Sequence, residues 1–188
     1  MDKLRQSGNR MGSAHLLGRL GTIAAERGDL TTAHSWFSQQ LALSRETRSR
    51  SLEMATETNL GLVAARQGDL SIAREHLQRA IDGFGAMGRE GHMAYAMLSL
   101  AETEALADRW SSVLDILAEA EPRIQTAKRA VWLGQAHGLL ALARAHLGQA
   151  DDGSARGAVA SLREAKAGAP LAVALARLGQ VERLAGRA

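Results

Sequence analysis

Small and apolar side chains return along this chain at one interval. Leu20-Gly21 is followed by Leu60-Gly61, Leu100-Ala101, Leu140-Ala141 and Leu178-Gly179, and the small residues are spaced by 40, 40, 40 and 38 positions. Seven residues beyond each small residue comes a polar pair that reads as a turn: Gly28-Asp29, Gly68-Asp69, Asp108-Arg109, Gly148-Gln149 and Gly186-Arg187. A second set follows each turn: Ala33, Phe37 and Gln40, then Ala73, Leu77 and Ala80, then Val113, Leu117 and Ala120. Spacings of four and three put such a set on one face of a helix.

Each repeat therefore reads as a first helix A, a tight turn, a second helix B and a looser connection. A Gly after helix A supplies a left-handed residue without a steric penalty. The Asp after it can cap helix B and face its positive dipole end. The pattern predicts helices at 12–27, 30–46, 51–67, 70–86, 91–107, 110–121, 125–147, 151–166 and 170–185. The repeats fall at 12–50, 51–90, 91–127 and 128–168, with a half repeat at 169–188 and a partial helix at 2–7. In the fourth repeat the same count places Gly153, Gly157 and Ala160 at the inward positions. An interior Gly costs about 1 kcal/mol against Ala, so residues 150–166 are expected to be the least protected internal segment. Residues 2–7 look like the tail of a helix B, and Gly186-Arg187-Ala188 stands where another helix B should begin. The last helix is largely apolar, with Leu171, Val173, Leu175, Leu178 and Val181. The expectation is a slice of a longer array, or self-association through an array end.

Composition agrees with an all-α chain. About a fifth of the 188 residues are Ala and about a seventh Leu, both strong helix formers, and there are only two Pro. With 46% hydrophobic residues the chain is too apolar for intrinsic disorder. No Cys means no disulfide scaffold, thiolate zinc site or Cys nucleophile. No apolar run reaches the roughly 18 residues of a membrane span, and no signal-peptide core is present. A cytoplasmic location is expected. The formal net charge is +3, and the 20 Arg and three Lys are dispersed. A nucleic-acid binder would concentrate charge on one face and interleave stacking aromatics, so none is expected as a partner, nor a membrane. The densest knot, Arg45, Arg48 and Arg50, reads as a solvated turn.

The residues Leu20-Gly21, Gly28-Asp29-Leu30, Ala33 and Phe37, repeated as Leu60-Gly61, Gly68-Asp69-Leu70, Ala73, Leu77 and Ala80, resemble the tetratricopeptide repeat family. The resemblance covers nearly the whole chain. The family's usual period is 34, so a period of 40 is similar to a longer-helix variant attached to large bacterial signalling proteins. The family Trp early in helix A is replaced by Leu17 in the first repeat and Gly134 in the fourth. The family Tyr position holds Ala24, Ala64, Glu104 or Arg144. The implied fold is a right-handed superhelical solenoid of antiparallel helix pairs, with helices A on the inner face.

Other motifs carry little chemistry. Gly83-Phe84-Gly85-Ala86-Met87-Gly88 spells GxGxxG, but a dinucleotide loop needs a strand before it; the repeat makes it a frayed helix end and a flexible joint. The six His show no i, i+3 or i+4 pair, and there is no HExxH or GxSxG. No catalytic residue, metal ligand or cofactor is assigned, and the chain reads as a non-enzyme. His34 and His76 are expected on partly exposed faces of helices B. Asp151-Asp152 reads as dipole compensation at a helix start. Trp110 reads as core, Trp36 as half-buried, and Trp132 as a candidate partner contact.

The resemblance implies that exposed helix A positions bind extended peptides or helices. Counted from the Leu-Gly anchor, the groove candidates are His15, Arg19, Thr22 and Glu26, then Thr58, Asn59 and Arg66, then Tyr95, Ser99 and Glu102. Gln135 and His146 follow in the fourth repeat, and Arg177, Gln180 and Arg183 in the fifth. Arg66, Arg177 and Arg183 are placed to meet acidic groups of a partner. Apart from Asn59, the family's Lys/Asn clamp for a terminal carboxylate is absent. The expected function is a non-catalytic protein–protein interaction scaffold. The alternative is a regulatory sensor array that binds a signal peptide or small molecule and controls an attached transcription regulator, kinase or cyclase.

Overall fold

A computed structural model of the chain describes residues 2–149 and 152–186. Among these the secondary structure is helical: α1 (Asp2–Glu26), α2 (Leu30–Glu46), α3 (Arg50–Gln67), α4 (Leu70–Ala86), α5 (Glu90–Leu106), α6 (Trp110–Thr126), α7 (Ala130–His146), α8 (Asp152–Glu164) and α9 (Gly168–Leu184). The chain forms two compact units, Met1–Ala96 and Met97–Ala188.

The turns after α1 to α8 are of one kind, and this corrects the expectation of a looser B-to-A connection. A left-handed residue stands at Gly28, Arg48, Gly68, Gly88, Asp108, Lys128, Gly148 and Lys166. The next residue's N–H returns to a carbonyl in the last helical turn, as Asp29 to Ala24 at 3.0 Å and Ser49 to Ser44 at 2.9 Å. This is the bond pattern of a Schellman end. Four of those left-handed residues are Arg, Asp or Lys. No Gly marks them in the sequence, so the tightness of those turns is invisible there. At the following N-termini, Asp29 Oδ1 accepts from the Thr32 N–H at 3.0 Å, whereas Asp69 makes no such side-chain bond.

Three helix boundaries differ from expectation by more than two residues. The partial helix predicted at 2–7 is continuous with the first helix A, since α1 runs unbroken from Asp2. The helix expected to stop at 121 runs through Pro122 to Thr126, and α7 begins at Ala130 rather than 125. Pro122 is exposed, so the lost backbone bond falls on the solvent side. The missing two residues of the fourth repeat lie between Gly148 and α8. Core positions on α8 are therefore Ala155, Ala158 and Leu162, with Val159, while Gly153 and Gly157 are exposed. A two-residue slip turns a helix face by about 200°. That overturns the reason given for weak protection of 150–166. Asp151 and the pair Arg187-Ala188 lie outside the described residues.

In the N-terminal unit, Ala24, Ala33, Phe37, Leu60 and Val63 form one buried cluster. Gly21 and Gly61 permit the close approach. A Cβ on Gly21 would meet the Phe37 ring at 2.7 Å, and one on Gly61 would meet Leu77 Cγ at 2.7 Å. The GxGxxG segment is no flexible joint: Gly83 is buried inside α4, against the Met54 side chain. In the C-terminal unit, Ala141, Leu142, Ala145, Ala155 and Val181 cluster, and Leu162 packs into the space left by Gly134. Trp110 is partly buried against this cluster instead of fully core.

The N-terminal unit also buries a charge that the periodicity did not reveal. Glu57 on α3 has 1% of its side chain exposed. Its carboxylate accepts from His76 Nδ1 at 2.6 Å, Arg45 Nη2 at 3.0 Å and Arg79 Nε at 3.3 Å. Burial pushes its pKa up; the His76 hydrogen bond and the Arg79, His76 and Arg45 charges outweigh this and hold it below the ordinary value. Arg45 also bonds Glu53 at 3.0 Å, so it is a bridge between helices and not merely a solvated turn residue. His76 is partly exposed as expected, with 15% of its side chain exposed.

Candidate functional site

Within the N-terminal unit, His15, Arg19, Thr22 and Glu26 follow one another down a single face of α1. Leu52, Ala55, Asn59, Leu62 and Arg66 do the same on α3. Three adjoining clefts lie along these faces. One of about 440 Å³ is lined by His15, Arg19, Thr22, Gln40 and Asn59. Another of about 210 Å³ takes in Glu26, Phe37, Asn59, Arg66 and Tyr95. The third, about 200 Å³, takes in Ala55, Asn59, Phe84, His92 and Tyr95. Asn59, half-buried, borders all three. The structure thus brings together Arg19, Glu26, Asn59, Arg66 and Tyr95.

Not every candidate is free to meet a partner. Thr58 is buried, and its hydroxyl donates to the Met54 carbonyl at 3.1 Å. Arg66 remains exposed, but its Nη1 donates to the Ala25 carbonyl at 2.9 Å. That bond ties α3 to the end of α1, and Arg66 lines the cleft of about 210 Å³.

The C-terminal unit has its own cleft of about 740 Å³, lined by Glu102, Leu106, Trp110, His146, Val173 and Arg177 among others. Leu106 is 63% exposed and Val173 45%. The His146 ring stacks on Trp110 with centroids 3.9 Å apart and planes at 8°. Arg177, expected to meet a partner's acid, meets this chain's own, Glu102 Oε1, at 3.1 Å. Its other nitrogen donates to the Gln135 carbonyl at 3.2 Å, so Gln135 takes part through its backbone. Gln180 borders the cleft; Arg183 is not among its lining residues. Ser99 is buried, so it too is no groove residue. Trp132 lies under Arg129, whose guanidinium carbon is 5.0 Å from the ring centroid.

Sequence reasoning missed Gln40 and the exposed Leu106 as cleft residues. The signal for Gln40 was present, since it is the one polar residue at a position held by Ala80 and Ala120 in the next repeats. Among the described residues no group of three His, Cys, Asp or Glu side chains is placed to hold a metal. No helix among them is long and apolar enough to cross a membrane.

Residues 12–86 match the family model of the tetratricopeptide repeat. No curated protein sequence matches the chain. Solved structures similar to it include BtubC (BKLC) from P. vanneervenii, at 18% identity and a TM-score of 0.71, covering 97% of this chain and 84% of that one. A putative kinesin light chain from Podosopora anserina with nearly identical TPR-like repeats is also similar. It shares 17% identity at a TM-score of 0.67, over 92% of this chain and 87% of that one. A second structure of that protein, carrying a single substitution, gives a TM-score of 0.68. Residues 12–86 are thus similar to tetratricopeptide repeats, and the fold class of the chain is the all-α helical-repeat solenoid. Such a fold supports a protein-interaction scaffold in general terms.

Proposed function

We propose that this chain is a non-catalytic interaction module whose first-helix faces hold an extended segment of a partner protein. The observation that carries this reading is the row of three clefts along α1, α3 and the start of α5, joined at Asn59. Polar side chains there stand beside an apolar floor that includes Phe37 and Phe84. Sites of this kind bury the ligand's apolar side chains and fix its direction with a few polar groups. The C-terminal cleft offers the same combination, with Leu106 and Val173 beside the Glu102–Arg177 pair.

The test begins with a random 12-residue peptide library selected on the wild-type protein. Selected peptides, labelled with fluorescein, are titrated against wild type, Asn59→Ala, Arg66→Glu and Trp110→Ala by anisotropy. Glu75→Lys, an exposed position on α4, serves as the control. Binding weakened at least ten-fold by a first-helix or Trp110 variant, and unchanged in the control, supports the reading. Peptides that bind all variants equally overturn it.

A further inference from the structure

Gln40 sits where a repeat of this kind has no use for an amide. It lies on α2, 4% exposed, one helical turn from the buried Phe37 and Ser44. The corresponding residues are Ala80 on α4, Ala120 on α6 and Ala158 on α8, each 0% exposed. Alanine alone fills that place in the other helix pairs. The larger side chain is admitted here because its neighbour on α1 is Gly18. A Cβ on Gly18 would lie 2.4 Å from Gln40 Nε2 and 2.9 Å from both Cδ and Oε1. Gly18 opens a notch in α1, and the Gln40 amide occupies it; the corresponding Gly138 on α7 faces Ala158 instead.

Gln40 Oε1 is buried with no hydrogen-bond partner. Leaving such an oxygen unpaired is unfavourable, so packing alone gives no reason to keep it. The side chain borders the cleft of about 440 Å³ between α1 and α3, with His15, Arg19, Thr22 and Asn59 around it. An amide carries an acceptor and a donor on one edge, and its terminal torsion turns over a broad range. A residue in an extended chain shows its own N–H and C=O on one side, which is the complementary edge.

We propose that Gln40 hydrogen-bonds the backbone of an extended peptide lying in the α1–α3 cleft, reaching it through the notch at Gly18. This rests on the reading of the clefts as peptide sites, and names the group that grips the main chain. A main-chain grip tolerates varied side chains, so sequence preference along this stretch falls to Arg19, Asn59 and their neighbours.

The experiment uses a labelled 12-residue peptide selected on the wild-type protein that loses affinity for Asn59→Ala. Gln40→Met keeps the length and removes the amide; Gln40→Ala copies the other helix pairs. Both are expected to bind about ten-fold more weakly, as loss of one to two neutral hydrogen bonds implies, and Gln40→Met, which refills the notch, should melt at or above the wild-type temperature. A scan of single backbone N-methylations should find one position that weakens binding to wild type and adds nothing in Gln40→Met. Wild-type affinity in both variants, with Asn59→Ala still impaired, overturns the role of Gln40 and leaves the cleft reading standing. A lowered melting temperature in both variants makes Gln40 a packing residue and also overturns it. Failure to select any peptide sensitive to Asn59 or Arg66 removes the cleft reading itself, and this inference with it.

Discussion

Glu57→Gln tests whether the buried carboxylate holds α2, α3 and α4 together. The substitution keeps the shape and removes the charge. The His76 contact, at 2.6 Å, is the one shielded on both sides, with 15% and 1% of the side chains exposed. A hydrogen bond to a charged group of this kind contributes about 1.5–3 kcal/mol. Arg45 and Arg79 are 55% and 51% exposed, so solvent screens their pairs and each adds about 0.5 kcal/mol or less. The expected loss is about 2–3 kcal/mol at pH 7, or about 5–10 °C in melting temperature. The pH dependence has a definite sign. Glu57 has a folded-state pKa below its ordinary 4.5, so its stabilisation is present above that value and disappears as pH falls through the folded one. Urea titrations of both proteins from pH 7 to pH 3 should show a gap that closes on the acid side. A gap under about 0.5 kcal/mol at pH 7, or one that stays constant down to pH 3, would refute this account.

Two substitutions of glycine should act in opposite directions. Gly61→Ala places a methyl group 2.7 Å from Leu77 Cγ and 3.2 Å from the Ala73 carbonyl oxygen, and should lower stability by about 1–3 kcal/mol in urea unfolding; an unchanged midpoint would mean that α3 and α4 separate freely. Gly157→Ala meets nothing within 4 Å in the interior of α8 and should raise stability by about 1 kcal/mol, read as slower amide exchange across α8; faster exchange would show that its face is covered.

Those two glycines also show which parts of the fold were legible. Gly61 was readable because it recurs at a fixed offset from Leu60, in a chain whose period holds through three repeats. Helix A, helix B and the face each buries follow from that period. The fourth repeat broke the reading. A count of positions cannot say where within a repeat two residues are missing, and the helix face is sensitive to that location. Placing the deletion in the turn after Gly148 moves Ala155, Ala158 and Leu162 inward and Gly157 outward. The same limit applies at Pro122. A proline reads as a stop, but an exposed face within the last two turns tolerates it.

The candidate site was legible to a different depth in the two units. In the N-terminal unit, Arg19, Glu26, Asn59 and Arg66, the positions that the family resemblance implied through the Leu-Gly anchor, lie on faces that share clefts. In the C-terminal unit, Glu102 and Arg177 were also on the right faces, but 75 positions apart in sequence, and they pair with each other. Spacing can say that two charged residues share a face; it cannot say that they are each other's partners. That difference bears on function. The N-terminal cleft of about 440 Å³ is bordered by Gln40, whose buried oxygen has no hydrogen-bond partner. A partner that engages Arg177 must first compete with Glu102 and the Gln135 carbonyl, both already within hydrogen-bond distance. An acidic partner residue there exchanges one carboxylate for another and gains little. The C-terminal cleft should therefore draw its affinity from Leu106, Val173 and the Trp110–His146 stack, where burial removes exposed apolar surface without breaking an existing bond. Trp110→Ala should then weaken a peptide bound in that cleft more than Arg177→Gln does, and the reverse order in anisotropy titrations would place the affinity in the ion pair instead.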